Sequence, residues 1–260
     1  MANLAVYMNG YRVGTFTKAT SGAHQFHYNE SWLAQSGCRP ISLSMPLRHQ
    51  AYRGDEAYNF FDNLLPDNPE VRNRVVARYQ AASTQPFDLL SCIGQDSVGA
   101  LQLVTEGHDV PDVRRIDYKA LSDDELEQIL TSYKSGIPLG MVREQEEFRI
   151  SIAGAQEKTA LLYLDGRWYL PLNATPTTHI IKLPIGKIES HSYSIDLSQS
   201  VENEYICTLI AKEFGLPVPH CFMMQVGQVK ALAVERFDRR YAADHSWIMR
   251  LPQEDFCQVL

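Results

Sequence analysis

Long apolar runs are missing from this chain. None approaches the 18 residues that a membrane-crossing helix needs. Met1 to Gly10 lacks a basic segment followed by an apolar core, so no secretory leader is expected. Cysteine is sparse: Cys38, Cys92, Cys207, Cys221 and Cys257 are odd in number, scattered, and contain no Cys-x-x-Cys pair. That argues against a structural zinc site and against a disulfide framework. His24 and His27 form one His-x-x-His with no further ligands nearby, so no metal site is expected. Basic residues are outnumbered, 24 Lys plus Arg against 31 Asp plus Glu, and a net charge of −7 argues against the chain as a whole binding nucleic acid. A reducing cytoplasm and no membrane association fit these absences.

What is present is a globular chain, 45% apolar and 260 residues long, enough for one large or two ordinary domains. Leu4 to Met8, a turn at Asn9-Gly10, Tyr11 to Phe16, Gln25 to Tyr28 and the alternating Ile41 to Met45 read as a small β-meander. A short helix is expected around Trp32. The period then becomes helical: Tyr58, Phe61, Leu64 and Leu65 share a face that Pro66 ends. Pro69 suits the first turn of a helix with Val71, Val75, Val76 and Tyr79 as its stripe. Phe87 to Ile93 is a third helix closed by Gly94, and Val98 to Val104 a strand that could rejoin the first sheet. Residues 1–105 form one unit on this reading. Residues 106–147 are a linker and a helix that starts at the capping box Ser122-x-x-Glu125.

Residues 148–260 form a second unit. Phe148 to Thr159 begins in alternation, passes through small residues around Gly154, and ends at Lys158 and Thr159. Small residues at a strand end let backbone N–H groups approach an anion, and the lysine adds charge. The two glycines of a Walker loop and the Gly-x-Gly-x-x-Gly of a kinase loop are both absent. A plain hairpin edge with an exposed Lys158 is the alternative, and on residues alone the commoner one. Strands follow at Ala160 to Leu164, Trp168 to Leu170 and His179 to Leu183. A helix over Val201 to Phe214, capped by Ser198 or Ser200 and ended by Gly215, comes next, then strands near Phe222 to Val226 and Val229 to Phe237.

The order hairpin, strand, helix, strand, strand is that of a protein-kinase small lobe, which makes the fold class α+β. Such a lobe needs a phosphate loop (Ala153, Gly154, Ala155, Gln156, Glu157, Lys158), a strand lysine (Lys182) and a helix glutamate paired to it. Glu204 is the choice for the glutamate, because it shares a face with the small Cys207, Thr208 and Ala211; Glu202 is the alternative. Val234 to Arg240 would offer backbone groups to an adenine edge. Taken singly, Lys182 reads as a snorkelling lysine and Glu204 as an acid near the positive end of a helix.

Five separated stretches carry a resemblance: Tyr58 to Asp67, Gln95 to Ala100, Arg149 to Thr159, Thr177 to Lys182 and Val234 to Arg240. On them the chain resembles the HipA family of bacterial serine/threonine kinase toxins. The resemblance implies an ATP site with Ala153 to Lys158 as phosphate loop, Lys182 on the phosphates, and Glu235, Arg236 and Phe237 as the hinge at the adenine. It implies Ser151 as an autophosphorylation site that switches the enzyme off. It also implies glutamyl-tRNA synthetase as substrate, growth arrest and persistence as outcome, and a HipB-type antitoxin that links the toxin to DNA. The catalytic aspartate and the magnesium ligands belong to a large lobe whose Asp-Gly-His-x-x-Asn loop is not in these 260 residues. A truncated, inactive kinase is therefore expected, with a non-catalytic antitoxin-binding or regulatory fragment as the alternative.

Overall fold

The computed structural model describes residues 1–108, 110–134, 158–189 and 194–256. The N-terminal unit is built on an antiparallel sheet. β1 (Ala2–Met8) and β2 (Tyr11–Lys18) meet at Asn9-Gly10, with φ of 47° and 86°. Two successive left-handed residues match the twist of the hairpin, which is why Asn-Gly turns here. β3 (His24–Tyr28) continues the meander. α1 (Glu30–Leu33) is capped by Asn29, which accepts from the Ser31 N–H at 2.9 Å. β4 (Tyr52–Arg53), α2 (Asp55–Asp62), α3 (Pro69–Tyr79), α4 (Pro86–Ile93) and β5 (Leu101–Thr105) complete the unit, in sheet order β4-β3-β2-β1-β5. Leu4, Phe16 and Phe26 of the sheet pack against Phe61, Leu65, Leu89 and Leu90, and the Phe16 and Phe61 rings stack at 3.8 Å.

The second unit comprises β6 (Tyr118–Ala120), α5 (Asp123–Lys134), β7 (Lys158–Leu164), β8 (Arg167–Pro171), β9 (His179–Lys182), β10 (Gly186–Glu189), β11 (Ser194–Leu197), α6 (Ser200–Glu213), β12 (Cys221–Val226), β13 (Val229–Glu235), β14 (Arg239–Tyr241) and β15 (Ile248–Arg250). Its main sheet runs β12-β13-β9-β7-β8-β6, with β10–β11 and β14–β15 as separate hairpins. α5 starts at the expected capping box: the Glu125 N–H donates to Ser122 Oγ at 3.2 Å, and the Ser122 N–H to Glu125 Oε2 at 2.9 Å. Its Leu126 and Leu130 pack on Leu161, Ile181 and Ala231, the back of the sheet. Residues paired across strands share a face, so Lys158, Ile180, Lys182, Leu232 and Val234 line the front, where α6 sits. Among the described residues, no helix is long and apolar enough to cross a membrane.

Several expectations differ from the structure. Ile41 to Met45 is not a strand. The buried Tyr28 hydroxyl donates to the Met45 carbonyl and accepts from the Ile41 N–H, and Ser42 and Met45 form only an isolated bridge, so the stretch turns around that hydroxyl. Leu43 is left exposed. The expected linker is woven into the second unit, since β6 pairs with β8 and Val113 is buried with Ala174 and Trp247. Neither Ser198 nor Ser200 caps α6. Its N-cap is Gln199, and Ser200 Oγ instead accepts from the Ile185 N–H at 3.0 Å. Cys207 is exposed, so it does not draw α6 onto the sheet. α3 has no fully buried residue.

Behind β9, His179 is buried among Tyr163, Trp168 and Phe222, with ring centroids 5.1, 5.7 and 6.0 Å away. Burial, and then the charge of His220, push its imidazole down to about 4. The sign follows directly. Above about pH 6.5 the ring is neutral in both folded and unfolded chains. Between there and about pH 4 only the unfolded chain takes up the proton. Stability should therefore fall by about 1.4 kcal/mol per pH unit across that window. His179→Phe keeps the aromatic packing and removes the proton site. Urea melts at pH 7 and pH 4.5 should show the wild type losing clearly more stability than the variant.

Candidate functional site

A cleft of about 500 Å³ opens where the two units meet. Its floor is the front of the second sheet. Lys158 begins β7, Lys182 ends β9, and the register sets them directly opposite each other. Like charges so placed repel across a sheet. Glu204 of α6 accepts a hydrogen bond from Lys182 Nζ. Lys158 is half-buried; burial, then the charge of Lys182, lower its ammonium from the ordinary lysine value, while Asp67 and Glu204 act the other way. Two opposed ammonium groups thus face the floor of the cleft, one of them hydrogen-bonded to Glu204, while Glu235, Glu254 and Asp255 lie elsewhere along its lining.

The walls are mostly apolar and come from both units: Ile180 and Val234 from the sheet, Phe60 from α2 and Leu64 just after it, Val98 and Ala100 from the segment before β5. At the end of β13, the Glu235 N–H donates to the His220 carbonyl and the Arg236 N–H to the Thr178 carbonyl, both at 2.8 Å. Phe237 also lines the cleft and is 70% exposed.

The segment after β13 is held by a buried charge network. Arg236 donates to both oxygens of Asp238, at 2.9 and 2.7 Å, and to the Ser97 carbonyl at 2.9 Å. Arg239 reaches Asp96 at 2.9 Å, and Arg250 reaches the same carboxylate at 3.3 Å. Thr177 adds its N–H at 3.0 Å and its hydroxyl at 2.7 Å. Burial alone would push the Asp96 carboxyl up, but Arg239, Arg236, Arg250 and the Thr177 hydroxyl outweigh it and hold the group well below the usual carboxylate range. The Gly99 N–H donates to Asp238 at 2.8 Å. Gly99 has φ of 73°, a conformation that favours glycine, and a Cβ there would press on the Gln253 backbone at 3.2 Å. Asn9 then clasps Arg250 through both backbone groups, at 2.8 and 2.9 Å, and Glu254 accepts from Ser42 and from the Leu43 N–H.

Of the expected site residues, the structure brings Lys158, Lys182, Glu204, Glu235 and Phe237 to one cleft or its rim. Arg236 also lines the cleft, and its side chain is 2% exposed and spent on Asp238, Ser97 and Thr177. Ala153, Gly154, Ala155, Gln156, Glu157 and Ser151 lie outside the described residues. Glu202, the alternative to Glu204, pairs with Lys230 on β13. Sequence reading missed that pair and the joint role of Asp96, Asp238, Arg239 and Arg250. The signal available was that Gln95 to Ala100 and Val234 to Arg240 stand out together.

These features define a two-unit α+β protein with a lysine-floored, apolar-walled cleft at its junction. Comparison with known proteins places it. The model of the HipA N-terminal domain matches residues 4–104, and that of the HipA-like C-terminal domain matches residues 150–260. The chain belongs to the HipA family. It is 34% identical to a Sinorhizobium fredii protein named "Putative kinase Y4mE", over 99% of this chain and 59% of that one. It is 28% identical to the serine/threonine-protein kinase toxin HipA of Shewanella oneidensis, over 99% of this chain and 55% of the relative. Among solved structures, the Shewanella oneidensis HipA, HipB and operator DNA complex contains a chain that matches with a TM-score of 0.73 and 25% identity, over 98% of this chain and 55% of that one. The chain thus spans a little over half the length of these relatives.

Proposed function

We propose that the cleft binds ATP as part of a serine/threonine-kinase toxin of the HipA type. The observation that carries this is the opposed pair Lys158 and Lys182 on the floor, with Glu204 of α6 hydrogen-bonded to Lys182. Phosphate oxygens would relieve the repulsion between the two opposed ammonium groups, and the apolar walls at Val98, Ala100, Ile180 and Val234 suit a flat base. The order β7–β8 hairpin, β9, β10–β11 hairpin, α6, β12, β13, with a strand lysine paired to a helix glutamate, supports a kinase small lobe. In this reading Lys158 and Lys182 orient the phosphates, Ala153 to Glu157 cover them, and the backbone of Glu235 to Phe237 faces the base. Magnesium, when bound, neutralises phosphate charge, and its ligands and the catalytic aspartate would come from the length by which the relatives exceed this chain.

Three further elements of the proposal rest on family membership. Ser151 is the autophosphorylation site, glutamyl-tRNA synthetase is the substrate, and its modification in the cytoplasm leads to growth arrest and persistence. A HipB-type antitoxin is the partner, through which DNA is reached; the HipA, HipB and operator DNA complex of the relative supports this.

Calorimetry with ATP and with adenosine tests the nucleotide reading. ATP should bind the 260-residue chain at least tenfold more tightly at low salt, a gap of about 1.4 kcal/mol or more. That gap should shrink as salt screens the lysines. Equal affinities at every salt concentration would remove the phosphate role of the two lysines.

A further inference from the structure

The front of the second sheet carries a third cation in the same row. Lys182 is opposite Leu232, and Lys230 lies two residues before Leu232 on β13, so it shares that face. Lys230 is hydrogen-bonded to Glu202 of α6, as Lys182 is to Glu204. Residues two apart on an α-helix project about 200° from each other. Glu202 and Glu204 therefore leave opposite flanks of α6, one reaching β13 and the other β9.

Apolar packing does little to seat this helix. Val201 is its one buried residue, while Ile206, Leu209 and Ile210 are 54, 44 and 50% exposed. Its N-terminus lacks a side-chain cap. A helix anchored on one flank can roll about its axis; one anchored on both cannot. The Lys182–Glu204 pair is also the anchor that a bound phosphate would draw on, because an anion at Lys182 competes with Glu204 for the ammonium.

We propose that Lys230–Glu202 is a second latch that stops α6 from rolling and keeps Glu204 presented to Lys182 while phosphates occupy the cleft. It is a positioning pair and touches no ligand. The inference rests on the nucleotide reading for its effect on affinity, but the docking of α6 can be measured without ligand. Both partners are about one-third exposed, so their loss should leave the protein folded.

The test uses the 260-residue chain and the variants Lys230→Met, Glu202→Gln and the exchanged pair Lys230→Glu with Glu202→Lys. In the ligand-free protein, α6 amides should exchange hydrogen several-fold faster in each single variant and return towards wild type in the exchanged pair. ATP affinity should fall two- to fivefold in the single variants and recover in the exchanged pair, while adenosine affinity stays constant. Unchanged α6 exchange, or an exchanged pair that restores nothing, overturns the latch. If ATP binds wild type and variants alike, the latch fails and the nucleotide reading survives. If wild type binds no ATP while α6 exchange still responds, the nucleotide reading fails and the docking role of the pair stands.

Discussion

Asp96→Asn should destabilise the protein by about 3–5 kcal/mol, the range for removing one partner of a buried ion pair. Asp96 and Asp238 are the two carboxylates facing Arg236, Arg239 and Arg250, and all five residues are buried or nearly so. Loss of the Asp96 charge would leave three guanidinium groups against one carboxylate, away from water. Burial and the repulsion of Arg236 already lower Arg239 and Arg250 from the ordinary arginine value, so the cluster has no charge to spare. An asparagine oxygen can still accept one hydrogen bond, but it cannot offset the charge. The loss should also reach the cleft, because Arg236 and Asp238 line it while Asp96 belongs to the N-terminal unit. Urea unfolding measures the effect. Glu106→Gln, which breaks the largely exposed Arg12–Glu106 pair, is the control and should cost under about 1 kcal/mol. Equal, small losses in the two variants would mean that water reaches the network.

Lys182→Met should separate binding from stability. ATP affinity should fall at least tenfold, about 1.4 kcal/mol, because the cation at the centre of the floor is gone. Stability should change little. Glu204 is 36% exposed and can be solvated, and the repulsion between Lys182 and the opposed Lys158 disappears. Lys158→Met should weaken ATP similarly while leaving stability the same or slightly raised, since Lys158 has the repulsion and, among the described residues, no hydrogen-bonded carboxylate of its own. Adenosine should bind all three proteins alike. Calorimetry and thermal melts on the same samples decide it: a parallel loss of ATP and adenosine binding would point to a collapsed cleft rather than to a lost phosphate contact.

Local signals in the chain were reliable guides to the elements. Asn9-Gly10 turns with two successive left-handed residues, as their types require. Pro69 starts α3, Ser122 and Glu125 start α5, and Gly94 follows α4. In each case the chemistry spans four residues or fewer, so neighbours in sequence suffice. Lys182 and Glu204 could be paired in advance because strand, helix and spacing constrain them together. Ile41 to Met45 failed as a strand for the opposite reason: its alternation was real, but the Tyr28 hydroxyl, distant in sequence, offered its backbone a better partner.

The sequence alone determined the first hairpin, the main helices, the cap of α5, and the pairing of Lys182 with Glu204. Tertiary structure decided that Lys158 stands directly opposite Lys182, because strand register depends on which backbone groups pair and on what each face buries. It decided that Glu202 belongs to Lys230, because one helix turns its two acids to opposite flanks. It also decided that Arg236 turns inward: beside the neighbouring Asp238, the Ser97 carbonyl meets it from 139 residues away, and a buried guanidinium needs every partner the fold brings near it.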